Sequence, residues 1–118
     1  MLPIDPSVIQ QRIDSMTGDP LYLHLEQTTG AYAAHFDSSK HPAASFISNI
    51  IIVYSHGGIS GGGPYRVGLK MAQGWVYCEG LTHYEETESD RLILAGHDNT
   101  GKLVVALQLS PEPFGRER

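Results

Sequence analysis

Tyr65-Arg-Val-Gly-Leu-Lys-Met-Ala-Gln-Gly-Trp-Val-Tyr-Cys-Glu-Gly80 carries the pattern that decides the fold. On either side of Met71-Ala-Gln-Gly74 apolar side chains recur at every second position, which marks two half-buried strands joined by a turn. If Lys70 pairs with Trp75, then Val67 faces Cys78 and Leu69 faces Val76, and one face of the hairpin is wholly apolar. The opposite face then sets Arg66 across from Glu79 and Lys70 across from Trp75, an ion pair and a cation–π pair. Agreement of both faces on a single register supports the hairpin better than the composition of either strand alone.

The pattern continues toward the C-terminus. Leu81–Glu86, Arg91–His97 and Lys102–Leu109 read as further strands, and Asp98-Asn-Thr-Gly101 is a strong turn signal. That turn sets His97 opposite Lys102, Leu94 opposite Val105 and Leu92 opposite Leu107. Leu103 to Leu107 is apolar on both faces, as a central strand would be. Pro111 and Pro113 end it, and Phe114 is a candidate to dock on the core.

Toward the N-terminus, Ala44–His56 is β-rich but longer than an ordinary strand, so a bend or bulge is expected near Ser48-Asn49. Gly57-Gly-Ile-Ser-Gly-Gly-Gly-Pro64 reads as a flexible connection. Leu21-Tyr-Leu-His-Leu-Glu-Gln27 alternates strictly, Thr28-Thr29-Gly30 is a turn, and Ala31–Phe36 is the expected return strand. One helix is expected at Pro6–Met16. Asp5 caps it, proline fills its first position, Val8, Ile9, Ile13 and Met16 share a side, and Gly18 stops it. The expectation is a single mainly β domain over residues 1–118: a small antiparallel barrel or sandwich of about seven or eight strands with one N-terminal helix.

Composition narrows the function classes. The chain carries 13 acidic and 8 basic residues, a formal charge of −5, and no long basic tract. Nucleic acid is not an expected partner, because phosphate binding relies on clustered Lys and Arg. The longest apolar run is Ile50–Tyr54, far short of the roughly 20 residues that span a bilayer. A single cysteine, Cys78, allows no intramolecular disulfide, and the N-terminus has no basic-then-apolar leader. A cytoplasmic location without membrane association is the expectation.

Two groups of side chains could carry chemistry. With a two-residue turn at Thr29-Gly30, His24 would lie opposite His35, and His24, Glu26 and His35 would share a face. A three-residue turn would send His35 to the other face. The trio could do acid–base work or hold a metal, although no specific metal motif such as His-Glu-x-x-His is present. No cofactor is expected. The alternative is a polar strand face that meets solvent or a partner. The second group is Arg66, Lys70, Trp75 and Glu79, with Tyr77. An aromatic platform flanked by cations suits an acidic or sugar-like ligand, and ordinary cross-strand pairing accounts for the same residues. The glycine loop lacks the Lys-Ser/Thr ending of a phosphate loop, Asp98 is better placed to start a turn than to pair with His97, and Cys78 reads as a buried hydrophobe.

Four blocks stand out: His24-Leu-Glu26 with Thr28-Thr-Gly30, Tyr32 and Ala34-His35; Gly63-Pro-Tyr-Arg-Val-Gly-Leu-Lys70; Gly74-Trp-Val-Tyr77 with Glu79-Gly-Leu-Thr82 and Tyr84; and Arg91-Leu92, Ala95-Gly-His97, Gly101-Lys-Leu103, Leu107-Gln108 and Pro113-Phe114. Together they resemble YojF-like proteins. The resemblance spans about residues 8–114. It implies a small bacillary cytoplasmic protein without an established activity, and it offers no catalytic residues. It also implies a genomic setting beside a bacillithiol-pathway deacetylase, a zinc enzyme acting on N-acetylglucosaminyl malate.

Three functions are therefore weighed. The first is a non-enzymatic accessory or small-ligand-binding protein linked to low-molecular-weight thiol metabolism, with the deacetylase or a small acidic, sugar-like metabolite as partner. The second is a small hydrolase or isomerase using the His/Glu group, with or without a metal. The third is a structural homo-oligomer, a homodimer, whose polar face is an interface.

Overall fold

The computed structural model describes residues 1–29 and 43–115. The Asp5 carboxylate accepts the Ser7 N–H at 3.1 Å, which starts α1 (Pro6–Ser15) at the Asp-Pro signal. Met16 caps the far end, and Gly18 follows with φ +85°. The expected helix is one residue longer than the observed one.

Among the described residues nine strands accompany the helix. They are β1 (Leu2–Pro3), β2 (Leu21–Thr29), β3 (Ala43–Ile52), β4 (Tyr54–Gly61), β5 (Tyr65–Met71), β6 (Trp75–Leu81), β7 (His83–Tyr84), β8 (Leu92–His97) and β9 (Leu103–Ser110). Six form one sheet in the order β1-β7-β8-β9-β2-β3, and three form a second in the order β4-β5-β6. Every pairing is antiparallel. The chain passes to the small sheet at Val53 and returns at Thr82. This is a sandwich and not a closed barrel, since no ladder joins the two sheets among the described residues.

The core lies between the inner faces. Leu21, Leu23, Ile52, Leu92, Leu94, Val105, Leu107 and Leu109 come from the large sheet, and Tyr54, Val67, Leu69, Cys78 and Leu81 from the small one. Ile9 and Ile13 of α1 complete it with no solvent exposure. The helix bridges the sheets along one side. Its Gln10 amide donates to Gly57 O at 3.0 Å and accepts the Ile59 N–H at 3.0 Å, taking the place of a neighbouring strand on the β4 edge. Its Arg12 guanidinium donates to the carbonyls of Glu88 and Arg91, before β8. On the other side, β6 crosses β8 at Gly80 and Gly96.

The β5–β6 register is the expected one: Lys70 faces Trp75, Leu69 faces Val76 and Val67 faces Cys78. Arg66 and Glu79 do not pair, however. Tyr65 faces Leu81, so Glu79 and Gly80 together oppose Arg66 in a bulge, with Gly80 at φ +86°. The bulge expected near Ser48-Asn49 is present: Leu23 faces Ile50, His24 faces Ser48, and Asn49 is left over at φ 57°. β9 is interior to its sheet, as its apolar run indicates. Its register on β8 differs from expectation by two residues, with Leu92 opposite Leu109 and Leu94 opposite Leu107. A slip of two leaves every side chain on its proper face, which is why the hydrophobic pattern did not detect it.

Two further expectations are corrected. β2 runs straight through Thr28 and Thr29 and pairs with β3 from Leu21–Ile52 to Thr29–Ala43, while β9 occupies its other edge from Tyr22 to Gln27. Both edges of the strand are taken, and Thr28-Thr29 is strand and not turn; the expected return strand Ala31–Phe36 lies outside the described residues. Nor is the glycine segment a connector, since Gly57, Gly58 and Gly61 lie within β4. A Cβ at Gly57 would come within 2.5 Å of Ile13 Cγ2 and 2.9 Å of Leu69 Cδ2, so this glycine lets the helix approach the strand.

Candidate functional site

The outer face of the small sheet is built in three rows. Antiparallel partners share a face, so the pairing sets His56, Lys70 and Trp75 in the first row and Gly58, Gly68 and Tyr77 in the second. Ser60 and Arg66 make the third, with the Glu79–Gly80 bulge at its end. The side chains between them, Val67, Leu69 and Cys78, point into the core. Trp75 is 68% exposed and Tyr77 58% exposed, far beyond what large aromatic rings retain when they serve a core. The ammonium of Lys70 lies 5.8 Å from the Trp75 ring centroid, so the expected cation–π pair forms. Arg66 Nε donates to Ser60 Oγ at 2.9 Å. Arg66 is therefore held by β4 and not by Glu79, which makes no ion pair among the described residues.

The middle row gives this face its shape. A Cβ at Gly68 would meet nothing within 4 Å, and at Gly58 only Gln10 Oε1 at 3.8 Å. The two glycines leave a bare strip of backbone beside Tyr77. Arg66 and Lys70 stand at its two ends, about 13 Å apart along the strand. Aromatic rings for stacking and two cations thus surround one strip that is bare of side chains. Sequence pattern alone singles out the rings and cations. The glycine strip depends on the β4–β5 register, which the connector reading of Gly57–Pro64 concealed.

Two members of the His24, Glu26 and His35 group fall among the described residues. His24 and Glu26 share the outer face of the large sheet, with His24 Nε2 and Glu26 Oε1 3.4 Å apart. His24 packs edge-on against Phe46, ring centroids 5.0 Å apart, and lies 6.1 Å from Phe114. Its cross-strand neighbours are Ser48 and Gln108. His35 lies outside the described residues. Phe114 sits here rather than in the core. Asn49 exchanges two 2.8 Å hydrogen bonds with its backbone, and the Arg91 guanidinium carbon lies 5.3 Å from its ring centroid.

One cluster had no sequence signal. His83 and His97 approach with Nδ1 atoms 3.2 Å apart, and Thr82 Oγ1 lies 2.7 Å from His83 Nδ1 and accepts the His97 N–H at 3.0 Å. One imidazole donates and the other accepts. They meet because the chain changes sheets at Thr82 and β8 bulges at His97. No group of three His, Cys, Asp or Glu is poised around a common point among the described residues.

Two buried groups titrate away from their ordinary values. Burial pushes the Cys78 thiol up to about 11, so it is protonated at neutral pH and does not act as a nucleophile there. Burial, with smaller contributions from Asp14 and Asp19, pushes the Tyr54 phenol up to about 12. Its hydroxyl donates to Ile13 O at 2.5 Å. Among the described residues no helix is long and apolar enough to cross a membrane.

These features define a two-sheet antiparallel β protein with one capping helix and a solvent-facing aromatic and cationic sheet surface. The chain belongs to the family described as protein of unknown function (DUF1806), whose model matches residues 3–114. It is 44% identical over 106 residues to the uncharacterized protein YojF of Bacillus subtilis (strain 168), covering 90% of this chain and 91% of that one. The crystal structure of Bacillus subtilis YojF superposes with a TM-score of 0.78 at 40% identity, covering 96% of this chain and 95% of the other. The resemblance read from the sequence blocks is confirmed.

Proposed function

We propose that the chain is a non-enzymatic binding protein whose outer β4-β5-β6 face takes a small acidic, sugar-like ligand. The observation that carries this reading is the pairing of two strongly exposed aromatic side chains with the open Gly58–Gly68 strip. Aromatic faces stack on the apolar faces of pyranose rings, and the strip without side chains leaves room for such a ring beside Tyr77. Arg66 offers a planar fork to a carboxylate at one end, and Lys70 offers a point charge at the other. The bacillithiol linkage implied by the sequence resemblance fits this chemistry, because N-acetylglucosaminyl malate joins an amino sugar to a dicarboxylate.

Trp75 is the sole tryptophan and sits on the proposed face, so its emission reports occupancy directly. Titration with N-acetylglucosaminyl malate should give a saturable emission change and a matching calorimetric isotherm. Both should weaken at least about tenfold in Arg66→Ala, as expected for loss of a charge-assisted carboxylate contact. Unchanged emission and no heat into the millimolar range would overturn the proposal. Binding of the deacetylase in place of the small molecule would replace a ligand site with a protein interface.

A further inference from the structure

We propose that β3 pairs antiparallel with β3 of a second copy, joining two six-stranded sheets into one continuous sheet across a two-fold axis. β3 ends the large sheet: β2 holds one of its edges, and no described strand holds the other. It is ten residues long, about 34 Å of ladder. A long apolar edge of this kind is what chains ordinarily protect against.

Two other edges are protected. β1, at the opposite end of the large sheet, has two residues and includes Pro3. The β4 edge is capped by the Gln10 amide. β3 is long, and its one irregularity among the described residues is the Asn49 bulge. No Asp, Glu, Lys or Arg occurs between Lys40 and Arg66, in a chain that is 18% charged. Its interior holds no proline. Its bulge residue, Asn49, turns its side chain to the Phe114 backbone.

Exposure on this strand is apolar on both faces. Ile50 shares the core side with Leu23, yet it is 52% exposed; Phe46 and Ile51 lie on the outer side at 61% and 56%. A layer stacked on the sheet would cover one face only. An added strand brings side chains beside both. A second copy is the occupant that the composition fits. The rest of the molecule carries a net negative charge, so copies repel except across a segment without charge, and β3 is such a segment. The three exposed side chains, with Val53, Ala43, Ala44 and their neighbours, would bury on the order of 1,200 Å² in a symmetric pair, the lower end of stable specific interfaces. Assembly stops at two, because the short Pro3-bearing end of the sheet offers no ladder to extend.

The test is sedimentation velocity on the full chain from low micromolar to about 100 µM, a range that brackets weak and moderate dimers. The expected species has twice the 12.9 kDa chain mass. The double variant Phe46→Lys, Ile51→Lys places like charges across the two-fold and should weaken association at least about 100-fold. Both positions are solvent-exposed, and circular dichroism checks that the variant folds. Should it not fold, hydrogen exchange on the unaltered protein decides: β3 amides should gain protection as concentration rises. A monomer at 100 µM, a dimer unaffected by the two lysines, or β3 exchange independent of concentration would each overturn the proposal.

Discussion

Gly96 faces Gly80 where the two sheets cross, so closely that a Cβ on Gly96 would overlap the Gly80 carbonyl and the Val105 side chain. Backbone lies on one side of this contact, and backbone moves only by shifting a strand. Gly57, by contrast, faces side-chain methyl groups of Ile13 and Leu69. The expected order of damage follows. Gly57→Ala should cost about 1–3 kcal/mol by overpacking. Gly96→Ala should cost more than about 3 kcal/mol or prevent folding. Urea denaturation of the two variants side by side checks the ranking.

Gly68 supplies the opposite case. Its φ lies outside the left-handed region, and open space surrounds its absent Cβ. Gly68→Ala should leave the urea midpoint unchanged or raise it slightly, by no more than about 1 kcal/mol. Gly68→Val should also fold, but it fills the bare strip. Ligand-dependent Trp75 emission should then be lost without loss of stability, a separation that a structural role for Gly68 would not produce.

Tyr54 should make stability sensitive to alkali. Below pH 10 the phenol is protonated in both folded and unfolded chains, so this residue adds no pH dependence. From pH 10 to about 12 only the unfolded chain ionises, and stability falls as pH rises. The loss reaches on the order of 2 kcal/mol by pH 12. Tyr54→Phe should remove that slope. At pH 7 the variant should cost only about 1 kcal/mol, because Ile13 O also accepts from Met16 N–H and Thr17 Oγ1. Urea midpoints between pH 8 and 11.5 test both statements.

Cys78 is buried and its thiol is shifted upward. At pH 8 the folded protein should react with a disulfide reagent at least about 100-fold more slowly than the unfolded chain, which should release one equivalent. Rapid native labelling would mean that the β5–β6 hairpin opens far more readily than its packing implies.

Asn49 couples the β3 bulge to the C-terminal segment. Asn49→Gly keeps the left-handed backbone and loses both bonds to Phe114. Asn49→Ala loses the bonds and adds strain of about 1 kcal/mol. Both variants should expose the chain near Phe114 to limited proteolysis, whereas only Asn49→Ala should also lower the urea midpoint appreciably.

Legibility in the sequence followed the range of the interactions involved. The helix start, the β5–β6 register and the bulge at Asn49 each depend on neighbours within a few residues or on one local alternation, and each was readable. The pairing of β2 was not: its partners are β3 and β9, and the second lies more than 70 residues away. Alternation at Leu21, Leu23 and Leu25 announces a strand without naming its neighbours. The Gly57–Gly61 strand was obscured because glycine signals freedom locally, while here it serves the approach of Ile13 from another element. The candidate face divides the same way. Lys70 and Trp75 were legible as a local pair. The Gly58–Gly68 strip and the His83–His97 contact depend on bulges and on a change of sheet that no periodicity records.

The small sheet enters the structure once at Val53 and leaves once at Thr82, so all three rows of its outer face come from residues 54–81. Its inner side chains are fixed by the shared core, and its outer ones answer to little beyond the strand pairing. The unit is in effect a cassette: relatives can exchange the surface rows while the two crossing points and the six-stranded frame stay as they are. The outer surface of the small sheet can therefore change within one uninterrupted stretch, without any compensating change in β2, β8 or β9.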